Sequence, residues 1–139
     1  MKQVLVPIDG SPQSSAALEY AAEEFSTDEL ILIHVIDPIE AGYSATATVP
    51  GYTEEWYEHA QEEAEDLLEE ARETLDGEDV ESVTEVGRPS RSIVEYAEEN
   101  DVDHIVMGSH GRSGVTRILL GSVAEAVVRR SPVPVTVVR

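Results

Sequence analysis

Five short runs of β-branched and apolar residues, each separated from the next by a stretch with helical periodicity, leave this 139-residue chain few ways to fold. The runs VLVPI (4–8), LILIHVI (30–36), VESVTEV (80–86), HIVMG (104–108) and VPVTVV (133–138) are bounded by Asp, Gly or Pro and read as strands. Several are apolar at consecutive positions, as strands covered on both faces are. The first helical pattern follows Ser11-Pro12, an N-cap residue and a proline at the first helical position, with Ala17, Leu18, Ala21, Ala22 and Phe25 on one face. The second runs from about Thr53 to Leu75, with Trp56, Ala60, Ala64, Leu67, Leu68, Ala71 and Leu75 spaced by threes and fours. Its opposite face is nearly all Glu, a solvated surface rather than a metal site. The third starts near Ser90 and turns Ile93, Val94 and Ala97 inward; the fourth is SVAEAVVRR, where Ser122 and Glu125 have the spacing of a capping box and Arg129 and Arg130 suit the negative helix end. Strand and helix in this alternation predict an α/β fold: an open five-stranded parallel sheet, order 3-2-1-4-5, with helices on both faces and right-handed crossovers. No internal repeat is present, so residues 1–139 are expected to form one domain. The one long connection, residues 37–52, reads equally as a lid or as a surface excursion.

Charge narrows the partners. The formal net charge is −20, and a single lysine, Lys2, stands against eight arginines. Self-repulsion of that size is tolerated best where salt screens it, with a Debye length of about 3 Å near 1 M, which points to a salt-rich, halophilic cytoplasm. An acidic protein from an ordinary cytoplasm is the alternative. Nucleic acid is an unsuitable partner for so acidic a chain. No apolar run approaches the ~20 residues of a membrane span, and the N-terminus enters a strand-like run directly, so a cytoplasmic protein without membrane attachment is expected. The absence of cysteine removes thiol and disulfide chemistry. The charge is also uneven: residues 104–139 hold five arginines and only Glu125 as an acid, a local +4, which leaves −24 on the rest.

That positive region contains GSHGRSGVTRILLGS (108–122), and ligands in open α/β sheets bind beyond the carboxyl ends of the strands, where the strand order reverses. With order 3-2-1-4-5, strands 1 and 4 meet at that reversal. PIDGS, ending strand 1, and GSHGRSG, ending strand 4, then face one crevice, to which Gly121 and Ser122 return at the mouth of the last helix. Backbone N–H groups of a glycine loop and a helix N-terminus bind anions, and a missing Cβ lets a phosphate approach closely. Asp9 at the end of strand 1 is placed either to accept hydrogen bonds from ribose hydroxyls or to serve as a plain turn or cap residue. Standard phosphate motifs are absent: G-x-x-x-x-G-K-[ST] needs a lysine this region lacks, and there is no G-x-G-x-x-G.

What stands instead is Gly108-x2-Gly111-x9-Gly121-Ser122. Together with VLVPIDGS, LILIHVID, GRPSRSIVEYAEENDVDHIVMGSHGRSG and LLGSVAEAVVRRSPVPVTVV, it resembles the nucleotide-binding branch of the universal stress protein family over essentially the whole chain. The resemblance implies a Rossmann-like fold akin to the adenine nucleotide alpha hydrolases. It implies that Gly108, Gly111, Gly121 and Ser122 bind phosphates and ribose with Val123 following, and that Asp9 contacts the ribose side. It further implies that Pro7, Ile8 and Val35 line an adenine pocket and that Met107 precedes the first glycine. The implied ligand is ATP or another adenine nucleotide, with Mg2+ or Mn2+ held mainly through the phosphates, since no carboxylate cluster has ligand spacing. It also implies a homodimer formed by pairing of the last strands at 133–138. Pro134 already places that run at a sheet edge or bulge, where cover by a loop of the same chain is the alternative.

Other polar residues are weaker candidates. His110 lies inside the glycine loop, as a phosphate contact or a bystander; His34, His59 and His104 are isolated, with no metal spacing. Arg112 and Arg117 either reach terminal phosphates or balance the acidic body, and Gly114 reads as a turn. Ser11, Ser109 and Ser113 show no His/Asp partner arrangement for nucleophilic catalysis. Two functions from different classes follow: an ATP-binding regulatory or stress-response module with little turnover and an unknown regulatory partner, or a slow ATP or phosphoester hydrolase at the same site. Against the hydrolase, no acid lies between Asp103 and Glu125 to act as a base, and position 11 is Ser where an Asp-dependent phosphatase of the haloacid-dehalogenase type would need a second Asp.

Overall fold

The computed structural model describes residues 1–39, 54–75, 80–110 and 120–139. Within them run β1 (Gln3–Pro7), α1 (Pro12–Glu24), β2 (Glu29–Ile36), α2 (Glu54–Glu73), β3 (Glu81–Val86), α3 (Pro89–Glu99), β4 (His104–Gly108), α4 (Ser122–Arg130) and β5 (Val135–Val138). The five strands form one parallel sheet in the order β3-β2-β1-β4-β5, the topology expected from the alternation.

Consecutive apolar residues in the strands are explained by two cores. Val4 and Val6 of β1, Leu30 and Leu32 of β2 and Val106 of β4 pack with Ala17, Leu18 and Ala21 of α1 and Leu68 and Ala71 of α2. Their strand neighbours Leu5, Ile31, Ile33, Ile105 and Met107 pack on the other face with Ile93, Val94 and Ala97 of α3 and Ala124 and Val127 of α4. Alternate side chains of one strand therefore feed opposite layers. The outer strands differ from this central pattern. β3 is ESVTEV, with Glu81, Glu85 and Val86 exposed, whereas every residue of β5, VTVV, is half-buried. Pro134 sits just before β5, where its lack of an N–H costs no ladder bond, and its carbonyl still accepts from the Ile105 N–H at 3.0 Å.

Helix starts follow the sequence unevenly. Ser11 caps α1 as expected, its Oγ accepting from the Ser14 N–H at 3.1 Å, with Pro12 in the first helical turn. α3 begins at Pro89, next to Ser90 as expected, and its N-cap is Arg88, with no side-chain cap. The expected capping box of α4 is not formed. Gly121 takes the N-cap position in extended conformation (φ −70°, ψ 166°), so Ser122 is the first helical residue and Glu125 stands one place too far along to reach back. The reason is tertiary: the Gly121 N–H donates to the Ser109 carbonyl at 2.7 Å, which fixes where the helix starts, and Glu125 pairs instead with Arg129. The 37–52 connection lies mostly outside the described residues, as do Gly111, Arg112, Ser113, Gly114 and Arg117.

Candidate functional site

β1 and β4 are neighbours, with Val4 opposite His104 and Leu5 opposite Ile105, so Asp9 and Gly108 emerge at the same end of the sheet. The turn after β1 is held by its own atoms. Gly10 adopts φ 82°, a left-handed conformation that glycine takes without strain, and this lets the Ser11 N–H donate to Asp9 Oδ1 at 2.9 Å. Ser14 Oγ donates to the Ser11 carbonyl at 3.0 Å, with Ser11 and Ser14 both buried. Asp9 thus has the turn role that was one of its two readings. Just before it, the Ile8 N–H donates to the Ile33 carbonyl at 2.8 Å. His34 Nδ1 lies 2.7 Å from the Ile8 carbonyl oxygen and, facing an acceptor, is the protonated nitrogen of that ring. His34 therefore anchors the end of β1.

Gly108 has a packing reason of its own. A Cβ there would lie 2.7 Å from the Gln13 carbonyl carbon and 2.8 Å from Gln13 Cβ, so the opening turn of α1 occupies the space a side chain would need. Beyond it, the Ser109 N–H donates to the Val138 carbonyl at 2.8 Å and the Ser109 carbonyl accepts from Gly121, which brings the start of α4 back to the end of β4. Ser109 is 1% exposed, and its Oγ lies 2.9 Å from His110 Nδ1. Ile8 and Met107, both buried, contribute their side chains to opposite cores, and half-buried Val35 joins the layer containing Met107. Pro7, the last residue of β1, is half-buried opposite Ile33 of β2.

A cleft of about 280 Å³ lies at this end, lined by Asp37 after β2, by Arg88, Pro89 and Ser90 at the start of α3, and by Ser122 and Val123 at the start of α4. It unites two residues singled out in the sequence, Ser122 and Val123, with four that were not. Asp37 was hidden because the residues after it read as loop, and Arg88 because an arginine at a helix start has no motif. Neither α3 nor α4 has a side-chain cap. An uncapped helix start offers N–H groups and the positive end of the helix dipole, so two such starts on one cleft suit an anion. Asp37 is engaged in the turn that follows it, its Oδ1 accepting from the Ile39 N–H at 2.9 Å. Among the described residues no group of three or more His, Asp or Glu is placed to hold a metal ion, and no helix is long and apolar enough to cross a membrane.

Away from this end, His59 pairs with Glu63 at 3.0 Å on the exposed face of α2. His104 sits at the amino end of β4, with Nε2 2.7 Å from Thr136 Oγ1 and its ring 5.0 Å from that of Phe25. Burial, and secondarily the Lys2 charge, holds the His104 pKa below its ordinary value. Tyr96 is shifted up by burial and then by Glu81, Glu85 and Glu29. Neither group is among the residues lining the cleft.

The whole chain, residues 1–139, matches the Universal stress protein family. It belongs to that family. Universal stress protein MJ0577 of Methanocaldococcus jannaschii is 36% identical over 153 residues, covering 99% of this chain and 94% of the relative. The solved structure of MJ0577 superimposes with a TM-score of 0.83 over 99% of this chain and 94% of its own, which places the five-stranded sheet within the family's Rossmann-like α/β fold. YxiE of Bacillus subtilis is 33% identical over 145 residues, covering 99% of this chain and 98% of the relative. A further universal stress protein, 29% identical with a TM-score of 0.71, covering 99% of this chain and 97% of its own, was solved in complex with cAMP. Within this family member, the anion-suited cleft lies at the carboxyl end of the sheet, on the side of α3 and α4.

Proposed function

We propose that this universal stress protein, as one domain over residues 1–139, binds an adenine nucleotide, ATP foremost, and acts as a nucleotide-dependent regulatory or stress-response module with little intrinsic turnover. The observation that carries this reading is the start of α4. It is uncapped, opens onto a cleft beside the point where the strand order reverses, and is drawn back to β4 by the Gly121–Ser109 hydrogen bond. A family relative bound to cAMP supports a nucleotide as the anion. Gly108, Gly111, Gly121, Ser122 and Val123 then border the phosphates with His110 nearby. Asp9 faces the ribose, and Pro7, Ile8, Val35 and Met107 border the base. A divalent cation such as Mg2+ or Mn2+ would be held chiefly by the phosphates, with no all-protein cage required. Each charge-assisted contact of this kind contributes roughly 1.5–3 kcal/mol, so about four reach the ~8 kcal/mol of micromolar affinity. The same reading extends to a homodimer through the β5 edge, an unidentified regulatory partner and a salt-rich cytoplasm, without membrane or nucleic acid.

Mass spectrometry of the small molecules released on denaturing protein purified without added ligand tests the proposal. The expected result is ATP or a close adenine relative at near-stoichiometric amount, lost in Gly111→Val, which puts a β-branched side chain where backbone is to approach phosphate. No nucleotide in the released fraction, together with no ATP binding by calorimetry, would sink it. Phosphate release from ATP at ordinary enzyme rates without a partner would overturn the low-turnover part alone.

A further inference from the structure

Ser109, just past β4, is held by its backbone and its side chain together. Its N–H donates to the Val138 carbonyl of β5 at 2.8 Å, and its carbonyl accepts from the Gly121 N–H at 2.7 Å. With both backbone groups engaged, the junction of β4, β5 and α4 sets the direction in which the side chain leaves. That side chain is 1% exposed, and its Oγ lies 2.9 Å from Nδ1 of the half-buried next residue, His110. At such exposure the hydroxyl meets no substrate, so the pair is not a nucleophile with its base.

The direction of the bond follows from what each atom needs. Among the described residues the Ser109 hydroxyl has no partner besides the His110 ring. Were Nδ1 the donor, the serine proton would be buried without an acceptor, an arrangement that buried polar groups avoid. The hydroxyl therefore donates and Nδ1 accepts. A neutral imidazole carries one ring N–H, so the His110 proton sits on Nε2, on the ring edge away from the buried serine. His34 is the opposite case: its Nδ1 lies 2.7 Å from the Ile8 carbonyl oxygen, which has no proton to give, so its own proton sits on Nδ1. Two histidines at one end of the sheet are thus held in opposite tautomers.

We infer that Ser109 is a positioning residue for the nucleotide: its buried hydroxyl fixes His110 as the Nε2–H tautomer, which donates to a phosphate oxygen beside the start of α4. This inference rests on the nucleotide reading of the site and goes beyond it by naming the residue that orients the ring. The Gly121–Ser109 hydrogen bond is what brings His110 next to the N-cap of α4. A neutral ring protonated on Nε2 gives a charged oxygen a donor, whereas one protonated on Nδ1 would turn a lone pair toward it and repel it. The same arrangement keeps the neutral ring from serving as a general base, since Nε2 already holds a proton and Nδ1 is occupied by the serine. That accords with little turnover.

Long-range proton–nitrogen correlation spectra of isotope-labelled, nucleotide-free protein read the tautomers of the four histidine rings directly. They are recorded at about pH 8.5, roughly two units above the ordinary imidazole pKa, and assigned with His34→Gln and His110→Gln. The expected result is the Nε2–H pattern for His110 and the Nδ1–H pattern for His34. Calorimetric titration with ATP at one fixed salt concentration then compares wild type with Ser109→Ala, Ser109→Thr, His110→Ala and the double variant Ser109→Ala/His110→Ala. Ser109→Ala should weaken ATP binding about threefold or more and His110→Ala about tenfold or more. The double variant should bind no more weakly than His110→Ala, because the serine acts only through the ring, and Ser109→Thr, which keeps the hydroxyl, should recover most of the affinity. An Nδ1–H pattern for His110 overturns the inference on the wild-type protein alone, whatever the variants do. Unchanged ATP binding in Ser109→Ala, or an equal loss from Ser109→Ala with and without the His110 ring, overturns it as well and leaves the nucleotide reading intact. A wild-type protein that binds no ATP overturns both.

Discussion

Two helices begin at the carboxyl end of the same sheet, and their starts are built on opposite principles. At α1 the chain satisfies itself: Ser11 caps Ser14, Asp9 accepts from Ser11, and Ser14 returns a bond to the Ser11 carbonyl. At α4 the cap is Gly121, whose side chain offers nothing, and the polar residues nearby are engaged elsewhere, Glu125 with Arg129 and the Gly121 N–H with Ser109. A helix start closed by its own residues is architecture; one left open onto a cleft is available for a ligand. Glycine follows the same division, because the missing side chain at Gly108 already makes room for α1.

Substitutions can break this comparison. The largest stability effect is expected at Gly108→Ala, where the new methyl meets Gln13 backbone; overpacking of this kind costs about 1–3 kcal/mol, read from the urea midpoint. An unchanged midpoint would show that α1 is not what excludes a side chain there. Next, Ser11→Ala should lose about 1 kcal/mol through the missing cap. Ser122→Ala should fall within about 0.5 kcal/mol of wild type in stability, yet weaken ATP binding severalfold. If Ser122→Ala proved the more destabilising and left ATP binding intact, the two helix starts would have to be reassigned.

The smallest effect lies at the other end of the sheet and serves as a control. His104 is held below its ordinary pKa, so between pH of about 6.5 and the lower folded value the unfolded chain binds more protons than the folded one. That difference removes stability as the pH falls through this window and vanishes above it. Wild type should therefore lose more stability than His104→Gln on going from about pH 7.5 to about pH 5.5, with no change in ATP affinity at the higher pH. A pH response identical in the two proteins would show that His104 contributes nothing.

The sheet was legible because hydrophobic periodicity is local and strong. LILIHVI and HIVMG are apolar on successive residues only because both faces are covered, and that alone places them inside a parallel sheet. The α1 cap was legible for the same reason, since Ser11 and Pro12 act within one turn. The start of α4 was not, because a hydrogen bond between residues twelve apart in sequence moved it off the S-x-x-E spacing. Arg88 was invisible as a site residue for a related reason: its significance comes from the α4 residues brought to the same cleft, over thirty positions later. The sequence suggests only a local reading of Gly108, as room for a phosphate, whereas its contact with Gln13 arises only once β4 lies beside β1.

The bond between the Gly121 N–H and the Ser109 carbonyl has a consequence for how this region tolerates change. It ties the end of β4 to the start of α4 at the rim of the sheet, so Ser109 and Gly121 are fixed against each other whatever number of residues joins them. Because closure entropy rises only slowly with length, about 0.6 kcal/mol per doubling, insertions or deletions between these two residues should cost little as long as that bond is kept. Recognition can diversify there while β4, α4 and β5 keep their places.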